Sequence, residues 1–145
     1  MIADSLYSFP AQMESLGPVL AYLKSAAFGI PPAVALRAET ALEELLTNSV
    51  VHGNAEQIAE ASIWLVVTAS GQVLKLRYED AFAEFDPLAE IDAALRRSSN
   101  PMPIDQIRAG GLGLLMVYRL ADEFRYSREN GRNCIELSFM GGRLG

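Results

Sequence analysis

A chain of 145 residues, half of them hydrophobic and with aromatics spread along its length, suits one globular domain, residues 1–145, with its own core. Its 12 basic against 18 acidic residues give a net charge of −6, which leaves no electrostatic footprint for gripping a nucleic-acid backbone or an anionic membrane surface. One cysteine and one histidine exclude an internal disulfide and argue against a zinc site built from this chain alone.

The opening MIADSLYSFPAQ has no basic leader followed by an apolar run, and no later stretch reaches the roughly eighteen apolar residues of a membrane span, so a cytoplasmic location is expected. Ser5 to Phe9, with Leu6-Tyr7 at its centre and Pro10 behind it, reads as an edge strand. From Gln12 to Ala27, Met13, Leu16, Val19, Leu20, Leu23 and Ala27 recur at helical spacing, and Gly17-Pro18 sets the helix start within that stretch. Pro32 to Gly53 predicts one long helix: Ile30-Pro31-Pro32 supplies a proline start, Gly53 a left-handed stop, and no Gly or Pro intervenes. Ala38, Leu42, Leu45, Leu46 and Ser49 form its inward stripe.

Glu44 and Asn48, one turn apart, stand at the edge of that stripe beside Ala41 and Leu45, where a carboxylate and an amide would line the mouth of a pocket. Such a pair also recurs by chance on many surface helices. Glu43 is turned to solvent. After a short connection, Asn54 to Glu60, the branched apolar run Ala61 to Ser70 predicts a buried strand. Ser70-Gly71 turns the chain into Val73 to Asp80, where Leu74, Leu76 and Tyr78 alternate with Lys75, Arg77 and Glu79, as in a strand with one wet face.

Prolines and serines punctuate Asp80 to Ala109, with a helix expected over Leu88 to Arg96 and a mobile loop over Ser98 to Ala109. Ala109-Gly110-Gly111-Leu112-Gly113 then opens a helix from Leu114 to Ala121, apolar nearly all round and expected to be buried. Glu123 to Ser127 and Asn133 to Phe139 are strands joined across Asn130-Gly131, a strong hairpin signal, with Cys134 a packed thiol in the alternation. Together these elements predict an α/β two-layer sandwich, a mainly antiparallel mixed sheet with helices on one face.

A helix start preceded by glycines offers free backbone N–H groups and a positive dipole end, both suited to phosphate. The order Glu44/Asn48 helix, Asp80 at a strand end, then a glycine-rich helix start resembles the Bergerat-type ATP-binding fold of the GHKL superfamily, shared by gyrase, heat-shock chaperone ATPases, histidine kinases and mismatch-repair ATPases. The chain is most similar to the short anti-sigma-factor serine/threonine protein kinases of bacterial partner-switching systems. The residues that carry this resemblance are Ala41 to Gly53 for the Glu-xxx-Asn helix, Phe85-Asp86-Pro87 after the aspartate, Gly110 to Val117 for the second glycine box, and Gly131-Arg132-Asn133 before the last strand.

The resemblance implies that Glu44 acts as general base or orients the attacking hydroxyl, that Asn48 holds Mg2+, and that Asp80 accepts from the adenine amino group of ATP. It further implies that Gly110, Gly111, Leu112 and Gly113 approach the phosphates under a lid of about Ser98 to Ala109, with Arg108 reaching the terminal phosphate. Its partners would be a STAS-type anti-sigma-factor antagonist, which it phosphorylates, a sigma factor, which it sequesters, and a second copy in a homodimer. His52, the one histidine, lies inside the nucleotide-binding helix near its end, which fits a structural role and excludes a complete, autophosphorylating histidine kinase in this chain. The rival reading is a protein-binding module of the same fold in which nucleotide is absent or structural; a detached sensor-kinase ATPase domain ranks behind both.

The chain departs from the family pattern at one place. Asp-x-Gly becomes Asp80-Ala81-Phe82, and if this loop takes the positive φ that a glycine permits, Phe82 costs roughly 1–2 kcal/mol and crowds the base. The alternative is a shifted loop whose ring packs under Phe85 as part of a remodelled wall. Strain at Phe82 is the expectation.

Overall fold

Strands Ser62–Ser70 (β2) and Val73–Asp80 (β3) pair antiparallel from Ile63↔Asp80 to Ser70↔Val73, the hairpin that the Ser70-Gly71 turn demands. The computed structural model, which describes residues 6–58, 60–97 and 112–142, extends this hairpin into a five-stranded sheet of order β1-β2-β3-β5-β4. Here β1 is Tyr7–Pro10, β4 Glu123–Glu129 and β5 Arg132–Met140. Every pairing among the described strands is antiparallel, so the expected mixed character gives way to a uniform sheet. The reason lies in the connections: β1 joins β2's free edge, while the β4–β5 hairpin returns β5 beside β3.

Asn130 and Gly131 at that hairpin both take positive φ, 52° and 75°, the pair of angles that Asn-Gly tolerates in a tight two-residue turn. Pro10 closes the edge strand, where its missing N–H breaks no inner ladder.

The helices are Leu16–Ala26 (α1), preceded by a single 3-10 turn at Met13–Ser15, then Pro32–Glu56 (α2), Pro87–Arg97 (α3) and Leu112–Leu120 (α4). Pro18 falls in the first turn of α1, where its missing N–H is harmless. Leu74, Leu76 and Tyr78 of β3, Ile135, Leu137 and Phe139 of β5, and Ile63 and Leu65 of β2 project from one sheet face into a core closed by α1, α2 and α4. The expected stripe of α2 is all buried, including Ala38, Leu42, Leu45, Leu46 and Ser49. α4 is more amphipathic than expected: Leu114, Leu115 and Val117 are buried, but Met116 and Tyr118 are exposed because the helix packs against α2 and α3 on only part of its surface.

The opposite sheet face is polar. Arg77 there pairs with Glu79, Glu129 and Glu136 at 2.7, 2.8 and 2.8 Å, and Arg132 pairs with Glu79 at 3.2 Å while stacking over Trp64 at 3.5 Å. These pairings raise the Arg77 pKa, chiefly through Glu79 and then Glu129. Cys134 is packed into this face as expected, and burial, reinforced by Glu79, pushes its thiol pKa up. Among the described residues, no helix is long and apolar enough to cross a membrane.

Candidate functional site

Helix α2 does not stop at Gly53. It runs a further turn to Glu56 and ends in a left-handed Gln57 (φ 57°, ψ 38°), with Gln57 N–H donating to Asn54 O and Ile58 N–H to Gly53 O. Gly53 is bare for another reason: a Cβ there would meet Phe82 Cζ at 3.0 Å and Cε1 at 3.3 Å. Phe82 is 1% exposed, and among the described residues only Gln57 and Asn130 are non-glycines with positive φ. The strain expected at Phe82 is therefore absent. The ring is buried as in the alternative, but it packs on the Gly53 notch of α2, while the ring that Phe85 meets is His52. His52, which the helix overruns by one turn, sets its ring edge-on to Phe85 at 4.5 Å.

Helical spacing brings Glu44 and Asn48 to one side of α2, both half-buried, with Glu43 exposed. Across from them begins α4. A Cβ on Gly113 would collide with Glu44 Oε2, so Gly113 is open to this carboxylate because it has no side chain. Among the described residues neither Glu44 nor Asn48 has a hydrogen-bond or ion-pair partner, leaving a carboxylate and an amide available at the edge of the helix layer. α4 starts at Leu112. Arg108, Gly110, Gly111 and the Ser98 to Ala109 segment lie outside the described residues.

One residue past Asn48, Ser49 turns inward and joins the helix to the end of β3. Its hydroxyl donates to Asp80 Oδ2 at 2.9 Å and accepts from the Tyr78 hydroxyl at 2.8 Å. Burial pushes the Tyr78 pKa well above the usual tyrosine range, which keeps the phenol a donor. Asp80, 7% exposed, receives two further hydrogen bonds on Oδ1, from Asn133 Nδ2 at 2.9 Å and Phe82 N–H at 3.3 Å. Asp80 and Asn133 face each other across β3 and β5.

The loop that follows Asp80 is pinned from three elements. Arg128 Nη1 on β4 donates to Phe82 O at 2.8 Å, Ala83 N–H donates to the Glu56 carboxylate of α2 at 3.2 Å, and Phe85 N–H donates to Asn133 Oδ1 at 3.1 Å. Asp86 then accepts from Leu88 N–H at 2.9 Å and Pro87 opens α3, so Phe85-Asp86-Pro87 works locally as ring anchor, helix cap and first helical residue.

The described structure thus joins Glu44 to Gly113 and, through Ser49 on the same helix, α2 to Asp80. Ser49 reads in sequence only as a stripe position, Asn133 only as the end of the Gly131-Arg132-Asn133 turn with no role attached, and Tyr78 and Arg128 carry no site signal by motif. A signal existed in strand parity: Asp80 continues Leu74, Leu76 and Tyr78, and Asn133 continues Ile135, Leu137 and Phe139, so each is a polar residue on a core-facing register.

A helix-covered antiparallel sheet with a carboxylate helix facing a glycine-containing helix start, and a buried aspartate at a strand end, defines a GHKL-type ATP-binding fold. The chain belongs to the histidine kinase-like ATPase domain family, which it matches over residues 9–139. No curated protein matches it in sequence. Among solved structures, its fold is similar to the RsbU and RsbW domains of Rv1364c from Mycobacterium tuberculosis, with a TM-score of 0.58 and 18% identity. That likeness covers 94% of this chain and 32% of the other, so the chain spans about a third of that protein's length.

Proposed function

We propose that this single domain is an ATP-dependent serine/threonine protein kinase and anti-sigma factor of a cytoplasmic partner-switching system. Its substrate would be a STAS-type antagonist, its alternative partner a sigma factor, and its working form a homodimer. The observation that carries the reading is the Glu44 carboxylate set against bare Gly113 at the start of α4, with the Asn48 amide one turn away. The fit to ATP and Mg2+ rests on the same place: a carboxylate and an amide with no other partner among the described residues, beside Gly113, which carries no side chain. When bound, ATP with Mg2+ supplies the transferable phosphoryl group and the cation that neutralises its oxygens.

In this reading Glu44 orients an incoming serine or threonine hydroxyl and takes its proton, and Asn48 contributes an oxygen ligand to the cation. Asp80 accepts from a purine amine. Gly110 to Gly113 bring backbone N–H groups to phosphate, and Arg108 approaches the terminal phosphate. The companion reading, a protein-binding module with weak or structural nucleotide, draws on Asp80 already accepting three hydrogen bonds within the fold.

The test is transfer from ATP with Mg2+ to a purified STAS-type antagonist, followed by intact-protein mass spectrometry. Glu44→Gln is expected to slow transfer by about 10² to 10⁴ while ATP affinity stays within a few fold. Transfer at the parental rate removes Glu44 from this role, and an absence of ATP binding at millimolar nucleotide leaves the binding module.

A further inference from the structure

We propose that Asn133 is a positioning residue that, with Ser49, fixes the Asp80 carboxylate as an oriented acceptor and thereby sets a preference for a purine bearing an exocyclic amine. This rests on the nucleotide-binding reading. Asn133 is 5% exposed and uses both ends of its amide. Nδ2 donates to Asp80 Oδ1 at 2.9 Å and Ala83 O at 3.0 Å, with Phe82 O at 3.4 Å; Oδ1 accepts from Phe85 N–H at 3.1 Å and the Tyr126 hydroxyl at 2.7 Å.

A position that must donate on one side and accept on the other is met by a primary amide. An aspartate there would face the Asp80 carboxylate and two carbonyl oxygens, and a leucine would take the Asn133 donor from Ala83 O and the shorter of its two donors from Asp80 Oδ1.

The same amide therefore sets two things together, the orientation of Asp80 and the path of the loop from Phe82 to Phe85. Ser49 fixes the other carboxylate oxygen. Because a carboxylate only accepts, the Ser49 proton points to Asp80 Oδ2, and the Ser49 oxygen accepts from the Tyr78 hydroxyl at 2.8 Å, the shorter of that hydroxyl's two contacts, the other being to Leu45 O at 3.2 Å. Donors run in one direction, from Tyr78 through Ser49 to Asp80. Oδ1 is taken by two donors and Oδ2 by one, which leaves an acceptor direction on Oδ2 for one further N–H. An exocyclic amine completes that set, whereas a carbonyl oxygen in its place meets the carboxylate oxygen to oxygen. Discrimination of this kind depends on the carboxylate being held still, because a free one would rotate away from the carbonyl and restore part of the affinity.

The decisive measurement is the ratio of ATP to ITP affinity, by calorimetric titration with Mg2+, for the parental protein, Asn133→Leu and Ser49→Ala. ITP carries a carbonyl where ATP carries the amine. The parental protein is expected to prefer ATP, with Asn133→Leu narrowing the ratio by about tenfold and Ser49→Ala by a few fold, each still giving a folded circular-dichroism spectrum. A merely structural role for Asn133 would lower the melting temperature and weaken both nucleotides alike, leaving the ratio unchanged, and that result overturns the inference while nucleotide binding stands. If Asn133→Leu does not fold, Ser49→Ala decides by the same ratio. A parental protein that binds ATP and ITP equally also overturns it. Binding of neither nucleotide by the parental protein overturns the nucleotide reading itself.

Discussion

Phe82 and Gly53 are complementary in shape. The phenylalanine fills the volume that the glycine leaves on α2, so neither can be changed alone without either a void or a clash. Phe82→Gly is expected to cost roughly 3–5 kcal/mol in denaturant unfolding without tightening ATP binding, since there is no strained φ for glycine to relieve. Gly53→Ala is expected to cost about 1–3 kcal/mol from the 3.0 Å approach to Cζ, and Phe82→Leu added to it should recover part of that loss. A gain in ATP affinity for Phe82→Gly would return the strain reading. From sequence, Gly53 reads as an ordinary helix stop and only Phe82 as an anomaly, an aromatic where the family has glycine; that one accommodates the other is a contact between positions 29 residues apart, which no local pattern encodes. Glu44 and Asn48 were legible because helical spacing fixes their side of α2. Asn133 was not, because its chemistry exists only once β5 lies beside β3.

The elements themselves followed from periodicity more closely than from their stops. β3 matches its expected span, Val73–Asp80, and the β4–β5 turn sits on Asn130-Gly131 because that dipeptide fits the two positive φ values. The end of α2 was misplaced because glycine is the usual helix stop, while here Gln57 takes the left-handed position and Gly53 supplies a capping carbonyl. A glutamine at φ 57° carries a Cβ against the following carbonyl that glycine would not. Gln57→Gly is accordingly expected to stabilise the protein by about 1 kcal/mol, seen as a higher urea midpoint with an unchanged slope. A lower midpoint would mean that the Gln57 side chain contributes more than its backbone costs.

At the scale of the whole molecule, two arginines tie parts distant in sequence, and they do so in different dielectric surroundings. Arg37 on α2 staples the helix layer to the far end of the sheet. Its Nη1 donates to Leu120 O at 2.9 Å and Asp122 Oδ2 at 3.2 Å, its Nη2 to Met140 O at 2.7 Å, and its side chain is 17% exposed. Arg77, on the open sheet face, is 35% exposed, and two of its three partners, Glu129 and Glu136, are 49% exposed. Water and salt screen the second set far more than the first, and Glu79 keeps Arg132 when Arg77 is lost.

Arg37→Met is therefore expected to cost about 3 kcal/mol, a fall in Tm of about 10 °C that persists in 1 M salt, because two of its acceptors are backbone carbonyls. Arg77→Met is expected to cost under about 1 kcal/mol at physiological salt and less at 1 M. Its effect should also depend on pH. Arg77 holds the Glu129 pKa below the usual range, so this contribution is present above the ordinary carboxylate pKa and is lost as pH falls through the lowered one. Thermal melts of both variants across salt and pH test the ordering; losses of equal size and equal salt dependence would mean that the α2 staple is no drier than the surface lattice and that the two layers are held by their apolar core alone.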